Sequence, residues 1–182
     1  MSTTTTAQNS QNSQNSQNTY PTTIFVSVLP KMLGQVTEQL SSIQGINYYS
    51  PTIGRFDIAV ELKASDSKHV HETVNKIRSL NGVTATRTYN PIEGSASTKT
   101  VQQADSLALV LLQVNEQARK VLQSLQQMQQ VRNAFVVQGE FDVLATMYGK
   151  NTDEILSTVN KIGDIQGVKT SETLLAYKPN WA

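Results

Sequence analysis

Short aliphatic runs alternate along this chain with stretches in which apolar residues recur every three or four positions. Thr23–Leu29 and Leu107–Val114 are rich in β-branched and aliphatic residues and predict buried strands. After each comes an amphipathic stripe, Leu33, Val36, Leu40, Ile43 in one case and Ala118, Val121, Leu125, Met128 in the other, which predicts a helix. The glutamines from Gln123 to Gln130 form its wet side. Ile46–Ile53 and Val131–Gln138 read as second strands, and Phe56–Leu62 and Phe141–Tyr148 as third strands reached through a glycine turn. A second helix then carries Val70, Val74, Ile77 or Ile155, Val159, Ile162, with Asp66 and Asn151 in N-cap position. Val83–Tyr89 and Val168–Ala176 are the fourth strands.

The two series are copies of each other. An offset of 85 carries Gly54-Arg55-Phe56-Asp57 onto Gly139-Glu140-Phe141-Asp142, and Thr73-Val74-Asn75-Lys76-Ile77 onto Thr158-Val159-Asn160-Lys161-Ile162. The same offset carries Gly82-Val83 onto Gly167-Val168, without a gap from Thr22 to Thr88. Three blocks in one register mark a duplication. The order β-α-β-β-α-β, twice, predicts an α+β chain of two tandem ferredoxin-like βαββαβ domains. Helices cover one face of such a sheet. Phe25, Val110 and Leu112 suggest that the other face is apolar too, so the two sheets are expected to pack face to face as a dimeric α/β-barrel-like pseudo-dimer. The expected organisation is a disordered Ser/Thr/Gln/Asn-rich segment at 1–21, a first domain at 22–90, a linker at 91–106, a second domain at 107–177 and a tail at 178–182.

Fifteen basic against fourteen acidic residues leave a formal charge of +1, which argues against affinity built on neutralising phosphates. No direct contact with nucleic acid is therefore expected. No apolar run is long enough to span a membrane, and no leader is evident, so a cytoplasmic protein that does not engage membranes is expected. The chain has no cysteine, which removes disulfides, thiolate metal sites and cysteine nucleophiles. His69 and His71 are two apart on a helix and diverge by about 200°, so they do not share a metal from one turn. With two histidines and no carboxylate pair repeated in both copies, the chain is expected to be no enzyme, with no catalytic residue, no metal and no cofactor.

Several families share this topology, and residues discriminate among them. The third strands lack the aromatic and basic pattern of RNA-recognition motifs. A metal carrier of this fold needs a cysteine pair. Leu33-Gly34 opens a helix as in ACT-type sensors, but Arg119 stands at the matching position of the second copy. Gly-x-Phe-Asp at the hairpin, an amphipathic helix, then Gly-Val opening the last strand resembles the C-terminal effector-binding domain of Lrp/AsnC regulators, over roughly 22–90 and 107–177. The resemblance implies a small-molecule effector, an amino acid or related metabolite, bound at Gly54, Asp57, Gly139 and Asp142. It also implies a homo-oligomer, or mixed oligomers with related regulators. The helix-turn-helix that such regulators carry has no counterpart in the first 21 residues.

The plainer reading of Asp57 and Asp142 is that each braces its own hairpin backbone. Arg55 and Glu140 stand at equivalent positions with opposite charge, so the two hairpins are expected to be inequivalent. Asn75 and Lys76, with Asn160 and Lys161, fall outside the core stripe and are candidates for an assembly contact. Two rival readings remain: a dimeric α/β-barrel enzyme such as a small monooxygenase, which needs a polar pocket between sheet and helices where the helix stripes here are aliphatic, and a ligand-free assembly module.

Overall fold

The computed structural model describes residues 20–63, 66–96, 106–115, 117–177 and 180–181. The expected disorder of 1–19, the linker stretch 97–105 and tail residues 178, 179 and 182 lie outside the described residues. The first copy runs β1 (Thr22–Val28), α1 (Leu33–Leu40), β2 (Ile46–Ile53), β3 (Ile58–Leu62), α2 (Ser67–Arg78) and β4 (Val83–Tyr89). Then β5 (Pro91–Ala96) leads to the second copy: β6 (Ser106–Val114), α3 (Ala118–Gln127), β7 (Val131–Val137), β8 (Val143–Gly149), α4 (Thr152–Gly163), β9 (Val168–Ala176) and β10 (Asn180–Trp181). The predicted caps form: Asp66 accepts the His69 N–H at 2.8 Å and Asn151 that of Glu154 at 2.9 Å.

The strands pair antiparallel in the order β4-β1-β3-β2-β9-β6-β8-β7-β5, with β10 also on β2. Only Asn90 separates β4 from β5, so one long strand holds both ends of this path and the sheet returns on itself. The two copies exchange strand ends reciprocally. Pro91 pairs with Val137 and Ala96 with Asn133; in the mirror arrangement Ala176 pairs with Thr52 and Trp181 with Tyr48. These partners are related by the 85-residue offset. The stretch read as linker therefore begins with a strand, and the stretch read as tail contains β10.

Three apolar clusters fill the layers. Ile24, Val26, Ile58 and Val60 pack under α1 and α2 with Val36, Leu40, Val74 and Ile77. Ala108, Val110, Leu112 and Val143 do so under α3 and α4 with Val121, Leu125, Ile155 and Ile162. Between the sheets lie Phe25, Phe56, Tyr89, Leu107, Leu109, Leu111, Phe135 and Phe141. Phe25 stacks on Phe56 with centroids 4.8 Å apart, a contact worth about 0.5–1.5 kcal/mol beyond burial. Tyr20, inside the segment read as disordered, packs against Phe135 with centroids 5.4 Å apart. The inner face is thus covered by the other copy of the same chain, as expected.

One detail of the repeat is corrected. Val26 pairs with Ile58 and Leu112 with Val143, so β1 maps onto β6 at an offset of 86, while the rest keeps 85. The β1–α1 connection is one residue longer in the first copy, and its Lys31 takes a left-handed φ of 72°. In consequence Val110 and Leu112 face the helices, and Leu107, Leu109 and Leu111 face the other sheet.

Candidate functional site

The two Gly-x-Phe-Asp hairpins meet at one end of the barrel. Gly54 and Gly139 take φ of +148° and +146°, which suits glycine, and a Cβ on Gly54 would come within 2.5 Å of Leu174 Cδ2. Asp57 Oδ2 accepts the Val28 N–H and Asp142 Oδ2 that of Val114, each at 2.8 Å. Asp57 N–H in turn donates to the Val26 carbonyl at 3.0 Å, and Asp142 N–H to Leu112 at 2.9 Å. Each Asp therefore closes the ladder at the bulged end of β1 or β6. Between the hairpins, Arg55 donates from Nη1 and Nη2 to the two carboxylate oxygens of Glu140 at 2.6 and 2.9 Å. It also reaches Glu172 at 3.2 Å. The Arg55 hydrogen bonds hold the Glu140 carboxyl below its usual range.

The opposite end of the barrel holds a cavity of about 190 Å³ between the sheets. Both copies build it with the same device. The β2–β3 register slips between Ile46 and Tyr48, and the β7–β8 register between Val131 and Asn133, so Asn47 and Arg132 are bulge residues at equivalent positions. Bulges re-aim side chains, and here both line the cavity, with Tyr48, Glu61, Asn133, Thr146 and Tyr148 around them. Asn47 Nδ2 donates to Glu61 Oε1 at 2.7 Å, and Arg132 Nη1 donates to the Tyr148 hydroxyl at 2.9 Å. Arg132 Cζ lies 5.5 Å from the Tyr148 ring centroid. Burial pushes the Glu61 carboxyl up, against the lowering effects of Asn47 and Arg132. Burial also raises the Tyr48 and Tyr148 hydroxyls. Ala59, Leu107 and Leu109 supply an apolar wall.

Glu61 and Arg132 escaped the reading of the sequence. The available signal was a lone carboxylate within the apolar strand Ile58–Leu62, alternating onto the face that Ala59 shares with the other sheet. Of the other residues singled out, His71 contacts Asn75 at 3.0 Å on the exposed face of α2, and no group of three or more metal-ligating side chains occurs among the described residues. No helix among them is long and apolar enough to cross a membrane.

Residues 107–179 match the family model of the Lrp/AsnC ligand binding domain. No curated protein matches the chain by sequence. Solved structures match nearly all of it. The siroheme decarboxylase NirDL superposes with a TM-score of 0.67 at 12% identity, over 87% of this chain and 71% of that one. An anthrone oxidase-like protein gives 0.54 at 11% identity, over 89% and 92%. A chlorite dismutase variant from Candidatus Nitrospira defluvii, in complex with cyanide, gives 0.54 at 7% identity, over 87% and 90%. These likenesses establish the dimeric α/β-barrel-like fold. They also correct the expectation that the chain is no enzyme, because the fold adopted by both copies together is one on which enzymes are built. That expectation looked for a polar pocket between sheet and helices and for carboxylates shared by both copies; the polar cluster here lies between the sheets, and its charged groups are not repeated.

Proposed function

We propose that this chain, whose second half matches a Lrp/AsnC ligand binding domain, binds a small-molecule effector in the cavity between its two sheets. An amino acid or related metabolite is the ligand class. The observation that carries this reading is the pair of equivalent bulges that turn Asn47 and Arg132 toward Glu61 and Tyr148. Drug-sized ligands occupy pockets of roughly 300–1,000 Å³, and a cavity of about 190 Å³ suits something smaller. A tetrapyrrole of the kind named with NirDL, an iron-uroporphyrin III analogue, is too large for it.

Calorimetric titration with the protein amino acids tests the proposal. Thr146→Phe, which fills the cavity from its wall, is expected to abolish binding; undiminished affinity in that variant would sink the cavity assignment. Since the whole-chain structural neighbours include enzymes, ligand recovered after incubation is also analysed by mass for chemical change. Native mass spectrometry of the same sample reports the assembly. We expect a homo-oligomer, with Ile53 and Ile92 exposed for contacts between copies.

A second reading keeps the effector at Gly54, Asp57, Gly139 and Asp142. It is favoured by the meeting of both hairpins through Arg55 and Glu140. Under it, Asp57→Ala and Asp142→Ala lose the ligand and Thr146→Phe retains it.

A further inference from the structure

At the hairpin end of the barrel the ion-paired charges are sorted by copy. Arg87 of the first copy and Glu172 of the second stand 85 residues apart, at equivalent positions, as Arg55 and Glu140 do. Arg87 lies opposite Phe25 on β1 and Glu172 opposite Leu111 on β6, so both stand on the inner faces, which those two residues share. Both bases belong to the first copy and both acids to the second. Arg55 reaches Glu140 at 2.6 Å and Glu172 at 3.2 Å, and Arg87 Nη1 lies 3.9 Å from Glu140. Each of these pairs joins one copy to the other. The 85-residue offset carries the Arg55–Glu172 pair onto Glu140–Arg87, so the four side chains form one pseudo-symmetric quartet.

The apolar part of the same faces discriminates little. Phe25, Phe56 and Tyr89 of the first copy are answered by Leu111, Phe141 and Leu174 of the second, all buried. Hydrophobic burial is non-directional, so a face of this kind can cover another of its own kind. The quartet removes that freedom. Two first copies in this arrangement would bring four guanidinium groups together, and two second copies four carboxylates. We infer that the quartet selects the partner of each inner face. The first copy accepts a βαββαβ domain that carries acids on its hairpin and last strand, which its own second copy supplies, and each copy rejects its own kind. Selection needs only the difference between attraction and repulsion, so partly exposed pairs that add little stability still discriminate. The rule is independent of where an effector binds. It extends to mixed assembly, since a related domain with bases at these positions is excluded from the first copy.

Three full-length variants test it. Arg55→Glu with Arg87→Glu makes the quartet wholly acidic, Glu140→Arg with Glu172→Arg makes it wholly basic, and all four changes together reverse it. In urea unfolding each half-reversed chain is expected to lose about tenfold or more in its folding equilibrium constant. Added salt is expected to return part of that loss. The fully reversed chain is expected to regain the wild-type midpoint. Partner choice is read by refolding the wholly acidic chain together with the isotope-labelled wholly basic chain and weighing the products by native mass spectrometry. Species with equal numbers of the two chains are expected in excess of random mixing, with a urea midpoint above that of either chain alone. Half-reversed chains as stable as the wild type would overturn the inference, as would a fully reversed chain no more stable than they are. Random products from the mixture, or mixed species without the gain in midpoint, would also overturn it.

Discussion

Arg55 and Glu140 occupy the same position in the two copies, 85 residues apart, and grip each other through two hydrogen bonds of 2.6 and 2.9 Å. The opposite charges noted in the sequence as a sign of inequivalent hairpins are one contact. In a dimer of identical copies this position would face itself with like charge. Within one chain the copies are free to diverge, and here they have diverged into partners. The Arg55 guanidinium also lies over Phe56 and Phe141, at 5.4 and 5.8 Å from the ring centroids.

A charge-exchange cycle follows. Arg55→Glu faces Glu140 and Glu172 together and is expected to lower the urea midpoint. Glu140→Arg, beside Arg55 and Arg87, is expected to do the same. The double exchange is expected to recover only part of the loss, because Glu172 and Arg87 keep their original signs. Added salt is expected to shrink every difference, since the pair is partly exposed. Midpoints that add independently across the cycle would show that the contact carries no coupling.

How far the sequence revealed all this depended on what was repeated. Gly54, Phe56 and Asp57 recur as Gly139, Phe141 and Asp142, so the duplication, element order and hairpin turns were legible. The register of β1 was not. Residues on both faces of β1 and β6 are apolar, so a shift of one position leaves a plausible alternation; that misassigned Val110 and Leu112. β5 was hidden because Pro91, Gly94 and Ser95 read as punctuation, and only its pairing with β7 makes it a strand. Glu61 and Arg132 were hidden for the opposite reason to the hairpins: their counterparts are Thr146 and Asn47, and a search for shared residues passes over them.

Burial of Glu61 raises its carboxyl in the folded state, which fixes the sign of a pH effect. A group whose folded pKa lies above its unfolded value contributes stability below the unfolded value and loses it as pH rises through the folded one. Glu61→Gln is therefore expected to be more stable than the wild type at pH 7. The gap is expected to close on acidification below about pH 4.3, the ordinary glutamate value. Thermal denaturation of both proteins from pH 3.5 to 7.5 checks it. A variant less stable than wild type at pH 7 would mean that the ionised carboxylate is a net stabiliser where it stands.

Asp57 and Asp142 each satisfy a backbone N–H at the end of an inner strand, Val28 and Val114 at 2.8 Å. Asp57→Ala and Asp142→Ala each leave that donor without its partner, at a cost of about 1–3 kcal/mol. Urea unfolding measures it. Asp→Asn is expected to cost less, since the amide oxygen can still accept. Equal losses for Ala and Asn would trace the effect to something other than this hydrogen bond.

The reciprocal strand exchange can be broken on one side only. Gly94 lies in β5, opposite Phe135 of β7, and a Cβ there would run into the Phe135 side chain and the Ala134 carbonyl. Gly94→Val is therefore expected to push β5 off β7, costing about 1–3 kcal/mol as overpacking does. The β7 amides that pair with β5 would then lose protection in hydrogen exchange. The β6–β8 and β6–β9 ladders do not involve β5, and their amides are expected to keep their rates. Because Asn133 lies opposite Ala96 in the β5–β7 pairing and lines the cavity, affinity for an effector bound there is expected to fall in the same variant. Unchanged exchange along Asn133–Val137 would show that the barrel does not depend on this strand for closure.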